Sequence, residues 1–497
     1  MRPYIFLLAV LLCATGCYKD LGNYDYRDVN EVGIEGIESQ YTILSLDTLR
    51  INPVLTFTQD AKGDTADYEY EWIAILDEGD RVFPDVKRTE VARTRDLNYK
   101  VVLKPNAGFT MSYRVKDKKT GIQWSKTFRL EVKSTIYEGW LLYSDVNTDA
   151  RLDMISRLDD TTERIYIDVL AQVGCELPPQ KHPRHVTYAT KNQGGGIYLS
   201  AGTGTNSIHS ETFLWQPSNA IEYEMQGKPP AGFAPLYVSN MDNVEHVMVT
   251  EDEIYYQHFI FAAGYTLPIN SIQAEGTLFK PAPFFGFSNR IASNMVIYDE
   301  TNRRFVGYKG SQTYSYLLQD PPDGLFSYST GRRMLYMANT RYSNNDVFAI
   351  LKDDAANKTW LYRMNVSTGI TQTYYGEMTG TDIDKAESFA VSHQFGYIFY
   401  NVGAKVYQYD MFNRNSKLML DMGTEKISLI KCQHFNGSSK YAAFEKALIV
   451  CTYDPGKPAA EQGTMRLYDV PAVNGDLVLT KTYTGFGKIV DVAYRTR

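Results

Sequence analysis

The side chains whose spacing comes nearest to a cation site are Asp145, Asn147, Asp149 and Asp153. They occupy positions 1, 3, 5 and 9 of a loop of the Ca²⁺-binding type. The glycine such a loop needs at position 6 is Ala150, and the bidentate glutamate of position 12 is replaced by Ser156. The four residues are therefore a Ca²⁺ candidate lacking two defining positions. The competing reading is a hairpin turn, where Asn and Asp are favoured anyway. His182 and His185 have the three-residue spacing of ligands on a helix, but Pro178, Pro179 and Pro183 argue against a helix, so a surface loop is expected. Gly194-Gly195-Gly196 runs into Ile197-Tyr198-Leu199, which reads as a strand, so no helix N-terminus is offered to a phosphate. The sequence has no GxSxG, HExxH or Walker motif. Asp159-Asp160 and Asp382-x-Asp384 read as solvated turns, although carboxylates from different elements can still meet in a fold. The residues point to a protein that is not an enzyme and needs no cofactor beyond the candidate Ca²⁺.

Five cysteines carry a second set of expectations. Met1-Arg2, an apolar run from Tyr4 to Leu12 and the small residues Ala14-Thr15-Gly16 form a secretory signal, with Cys17 directly after the cleavage site. That arrangement is similar to a lipoprotein signal, with Ala14 where a Leu is usual, and it makes Cys17 the lipidation site. Cys13 leaves with the signal. Of the three left, Cys432 and Cys451 sit in neighbouring strands, where two buried free thiols are expected and a disulfide between them is the alternative, and there is no CxxC to suggest zinc.

Composition bounds the partners. A length of 497 residues calls for more than one domain. Apolar content of 44% and charged content of 22% belong to a globular chain. A net charge of −7 argues against nucleic acid. No later apolar run is long enough for a membrane helix, so membrane attachment is expected through the lipid only.

These side chains must be positioned by strands. Residues 17–31 read as a polar tether. Between 32 and 133, period-2 runs such as Tyr68–Ile73, Met111–Val115 and Thr127–Val132 alternate with turn signals, which predicts an antiparallel sandwich. From 134 to 497 no stretch has a helical period. Short strands recur instead, beginning at His185, Pro235, Phe284, Leu325, Ser388, Ile427 and Ile489, about 40 to 60 residues apart. Four-stranded units at this period predict a β-propeller, with seven blades by count. The strands near Gly139, Leu152 and Ile165 lack an inner partner, which Ile489–Tyr494 would supply as the closing strand. The fold class is all-β.

Tyr68-x-Tyr-x-Trp72 with an acidic-Gly turn resembles the middle of a PKD domain, and Val115-Lys116-Asp117 with the Gly121 turn resembles its end. Ile73-Ala74-Ile75-Leu76 stands where the Trp-x-Phe-Gly-Asp-Gly core would be, so the unit is PKD-like. The run Cys17-Tyr-Lys-Asp-x-Gly-Asn-Tyr-Asp-Tyr26, followed by such a unit and a propeller, resembles the PKD-like family of Bacteroidota surface lipoproteins. The resemblance implies an outer-membrane lipoprotein facing the exterior. It also implies a TonB-dependent transporter and its lid lipoprotein as partners, in starch-utilisation-type nutrient import. The expected role is capture or import of a polymer, glycan or peptide. The rivals are a propeller glycosidase or lyase, and an adhesin.

If the inner strands run parallel around one channel, their C-terminal exits share a mouth. That places Lys191, Asn240, Asn289, Arg332, His393 and His434 together as candidate ligand-binding residues. Long donors and amides concentrated there would draw a carboxylated or sulfated polymer.

Overall fold

The computed structural model describes residues 29–496, except 61–62, 64, 78–87, 106, 134–135, 137, 160, 190–195, 242–243, 260–263, 289–293, 311 and 436–438. Cys17 lies outside the described residues. The chain forms two compact units that divide after Lys133, residues 102–105 grouping with the second.

The first unit is built on a five-stranded sheet in the order Gln40–Leu44, Gln123–Lys133, Ala107–Asp117, Tyr68–Leu76, Arg88–Ala92, parallel only at its first pair. Two-stranded ladders pair Val32–Glu35 with Val54–Phe57, and Thr48–Ile51 with Leu97–Lys100. Alternation explains the core. Tyr68, Tyr70 and Trp72 share one face and are buried, while Glu69 and Glu71 point away. Trp72 is fully buried, packs 4.2 Å from the Tyr113 ring and donates its indole N–H to Thr94 O at 2.8 Å. A buried Trp with its one donor satisfied both packs and fixes register.

Among the described residues, the second unit forms seven small antiparallel sheets. The first joins Glu138–Val146, Asp149–Arg157 and Glu163–Tyr166 to the terminal strand Lys488–Arg495. The other six are consecutive meanders, opening with Pro183–Ala189, Tyr237–Asn240, Pro281–Phe287, Arg333–Asn339, Ser388–Val391 and Lys426–Cys432. Most of their strands are buried on both faces. Ala447–Tyr453, for example, is a continuous apolar run buried from Ala447 to Thr452. The reason is face-to-face stacking. Val296 and Tyr298 of the fourth sheet pack with Val347 and Ala349 of the fifth. The last sheet packs on the first, through Ile449, Cys451 and Met465 against Trp140, Leu142 and Val492. The described helices are single turns such as Val169–Gln172, and none is long and apolar enough to cross a membrane.

One expectation changes here, and one alternative falls away. The fifth sheet does not open at Leu325. Phe326 and Tyr328 of that stretch anchor in the core between sheets, and the Gln372 amide oxygen accepts the Leu325 and Phe326 backbone N–H groups at 2.7 and 3.2 Å. Its backbone is thus satisfied by a side chain, and the opening strand is Arg333–Asn339. Cys432 and Cys451 are the free, buried thiols expected, and the alternative disulfide does not form. Register is the cause. Cys432 faces Leu448 and Cys451 faces Leu429, three residues away along the strand.

Candidate functional site

The terminal strand and the opening strands of the other six sheets are stitched to one another in a closed ring. The terminal strand holds the second sheet through Asp491, which accepts Val186 N–H at 3.1 Å and faces His185 Nε2 at 3.2 Å. Thr187 Oγ1 donates to Val238 O at 2.6 Å, and Tyr237 OH to Pro283 O at 2.9 Å. Phe287 N–H donates to Asn339 Oδ1 at 2.7 Å, and Arg341 N–H to His393 O at 2.8 Å. His393 Nε2 lies 3.0 Å from Cys432 O, which makes that nitrogen the donor. Lys431 Nζ completes the circuit, donating to Asp491 Oδ1 at 2.8 Å and Val492 O at 2.7 Å.

Inside this ring is a cavity of about 500 Å³. Its lining comes largely from the last residues of the opening strands: Tyr188, Asn240, Phe287, Asn339, Cys432 and Tyr494, with His393 just past its strand. His185, Lys431, Gln433, His434, Phe435 and Tyr441 add to it. No carboxylate stands among the described residues that line it.

The electrostatics follow from burial. Burial alone would raise the Asp491 carboxyl, but His185, Lys431 and the hydrogen bonds from Lys431 and Val186 outweigh it and hold the group below the usual carboxylate range. Burial pushes the His185 imidazole down to about 4, against the pull of Asp491. Burial does the same to His393, also to about 4, against hydrogen bonds with the Cys432 and Asn339 backbone. His434 is held well below its ordinary value by burial, with His393 and Arg341 adding repulsion. The His393 and His434 rings lie 5.0 Å apart. At neutral pH the cavity thus holds neutral imidazoles and one internally paired ammonium.

This has a consequence for stability. The unfolded chain takes a proton on each imidazole near pH 6.5, whereas the folded His393 resists until about pH 4. Stability is therefore complete above about pH 6.5 and is lost as pH falls towards 4, by roughly 3 kcal/mol for His393. We expect Tm to fall across that window. A His393→Gln variant should show a shallower fall, and parallel Tm profiles would refute the assignment.

Of the candidates read from the sequence, Asn240, His393 and His434 meet at the cavity. Lys191 and Asn289 lie outside the described residues. Arg332 does not reach it. It precedes the strand Arg333–Asn339, at the end opposite Asn339. There its guanidinium stacks 4.1 Å over Trp360 and donates to the hydroxyls of Tyr362 and Tyr375, the latter at 3.0 Å. The Ca²⁺ candidate is a two-residue hairpin with Asn147 and Thr148 in the left-handed region. Asp145 Oδ1 accepts Thr148 N–H at 2.7 Å, and Asp149 pairs with Lys181 at 2.6 Å. Asp153 is buried against Arg151 at 2.8 Å and accepts Asp168 N–H at 2.8 Å. The oxygens are separately engaged and do not converge on one point. His185, read both as the start of an inner strand and as part of a surface loop with His182, sits in the strand Pro183–Ala189 at the cavity. Asp491 and Lys431 were not singled out. Their signal was a charge inside an otherwise apolar strand, as in Ile489-Val490-Asp491-Val492.

Comparison with known proteins adds fold and family context. Residues 17–176 match the model of the PKD-like family, a span that runs past Lys133 into the first sheet of the second unit. Among solved structures, a quinonprotein alcohol dehydrogenase-like protein from Bacteroides thetaiotaomicron is similar at 11% identity and TM-score 0.52, over 92% of this chain and 95% of that one. A DUF4784 family protein from Bacteroides caccae aligns at 10% identity and TM-score 0.30, over 94% and 98%. A protein from Lactobacillus plantarum aligns at 13% and 0.40, over 72% and 100%. At such identity the first likeness speaks to fold alone, a β-propeller-like all-β fold. No curated protein matches the chain.

Proposed function

We propose that this chain is a non-catalytic binding protein of a Bacteroidota cell surface. In this reading Cys17 carries the lipid that anchors it in the outer membrane, facing outward. Residues 17–31 are the tether and residues 32–133 a PKD-like sandwich that acts as a stalk. The seven sheets are the blades of a propeller closed by its terminal strand. The protein captures a nutrient polymer, or assists its import, beside a TonB-dependent transporter and its lid lipoprotein.

The observation that carries this is the cavity, where strand ends from six of the seven sheets meet around one concave space, with Tyr188, Asn240, Asn339, His393 and Tyr494 as polar side chains. Convergent polar groups in a concave site of this size are what small-ligand recognition requires. Binding is favoured over hydrolysis because glycosidases flank the scissile bond with two carboxylates, and the described lining offers none. Affinity electrophoresis of the mature chain through gels containing soluble polysaccharides or protein hydrolysate tests the reading. Retention by at least one polymer is expected, and it should be lost when His434→Trp fills the cavity. Passage through every gel without retardation would refute it.

A further inference from the structure

We infer that the cavity takes an uncharged, hydroxyl-rich ligand, the terminal sugar of a neutral glycan, and discriminates against acidic ones. This rests on the binding reading above and narrows it.

Three features of the lining carry the inference. First, its cations are already matched. Lys431 donates to Asp491 and to Val492 O, and an incoming anion would have to break that pair or face Asp491 itself. Behind the cavity, Arg341 is paired with Glu445 at 3.3 Å. Matched charges offer little Coulombic gain to an anion and still exact its desolvation. Second, the groups left to bind are neutral and of mixed polarity. His434 Nδ1 faces Glu445 at 3.6 Å, while its Nε2 is buried with no hydrogen-bond partner among the described residues. Gln433 Nε2 donates to His434 O at 3.0 Å, leaving its buried Oε1 without a donor. A hydroxyl both donates and accepts, so it satisfies an amide oxygen and a neutral imidazole alike. A carboxylate or sulfate only accepts, and would set oxygen against Gln433 Oε1. Third, one wall is aromatic. Phe435 and Tyr441 stack at 5.1 Å with Tyr494 5.4 Å from each. An apolar stretch of lining beside polar groups suits a pyranose, which carries C–H groups on its faces and hydroxyls on its rim.

The site therefore reads as amphipathic and charge-balanced, whereas the sequence alone suggested a basic mouth for an acidic polymer.

The test is isothermal titration of the mature chain at pH 7 with defined probes. These are maltotriose, cellotriose, mannotriose and xylotriose, set against trigalacturonate, a chondroitin sulfate tetrasaccharide and trialanine. At least one neutral trisaccharide should bind, and the acidic probes should bind at least about tenfold more weakly. Gln433→Met keeps length and removes both polar atoms. It should weaken the neutral ligand by about tenfold, with Tm unchanged to show that the fold is intact. Tighter binding of an acidic probe or of trialanine, or an unaltered affinity in the variant, would overturn the ligand assignment while leaving a binding protein. Silence from every neutral probe at about 10 mM overturns it as well, and polymer retention in the gels then decides whether the broader reading stands.

Discussion

A chain ending at Gly487 is expected to lose the folded second unit. The terminal strand is paired with Glu138–Val146 from Gly139↔Arg495 to Asp145↔Lys488, so its removal bares one edge of the first sheet. It also removes Ile489 and Val492, both at 0% exposure, from the core between the last sheet and the first. Those two side chains alone account for roughly 3–6 kcal/mol, a large part of the ~5–15 kcal/mol typical of whole-protein stability. Asp491, the hub of the ring of stitches, leaves with them. The truncated protein should aggregate on purification. A synthetic peptide of residues 486–497, added during refolding, should restore soluble protein by completing the sheet. A truncation that stays monomeric with the parental Tm would show that the terminal strand does not hold the unit closed.

The second large effect is expected at Asp491 itself. Asp491→Asn keeps the shape and removes the charge, leaving the Lys431 ammonium with neutral acceptors only, the new amide oxygen and Val492 O. Breaking a buried pair typically costs ~3–5 kcal/mol. Lys431 keeps 25% of its side chain exposed to the cavity, so the lower end, about 3 kcal/mol, is expected. Removing both partners together, as in Lys431→Met with Asp491→Leu, should restore much of the loss, because neither charge is then stranded. Urea unfolding of Lys431→Met, of Asp491→Leu and of the two together closes the cycle and gives the coupling directly. Additive losses would mean that the pair does not act as a unit.

The strands were legible where the period was clean. Tyr397–Asn401 and Lys405–Tyr409, read from alternation, correspond to Ile398–Val402 and Lys405–Asp410. Tyr68–Trp72 sorted its faces correctly because every second residue is aromatic. Leu325–Thr330 misled because Phe326 and Tyr328 have the spacing of a strand, yet they serve as anchors for a loop whose hydrogen bonds come from Gln372, some 46 residues away. The cysteine offset was not legible, because neither periodicity nor turn signals give the register by which Cys432 faces Leu448 and Cys451 faces Leu429. At the site, residue types could be placed at the strand ends but not their net charge. Lys431 looks basic in sequence, and the carboxylate that cancels it arrives 60 residues later. Likewise, nothing local to His393 or His434 announces the burial that keeps them neutral.

The pairing of Glu138–Val146 with Lys488–Arg495 also imposes an order in time. Tyr494 OH donates to Glu138 Oε1 across 356 positions of sequence, so the first sheet of the second unit to be synthesised is the last to be finished. At ~5–20 residues per second the wait between its two halves is roughly 20–70 s. For that interval the sheet presents an unpaired edge while six complete meanders form after it. Contacts of such long sequence separation slow folding. The final event, docking the last eight-residue strand, is at once the closure of the ring, the completion of the Asp491 hub and the assembly of the cavity wall.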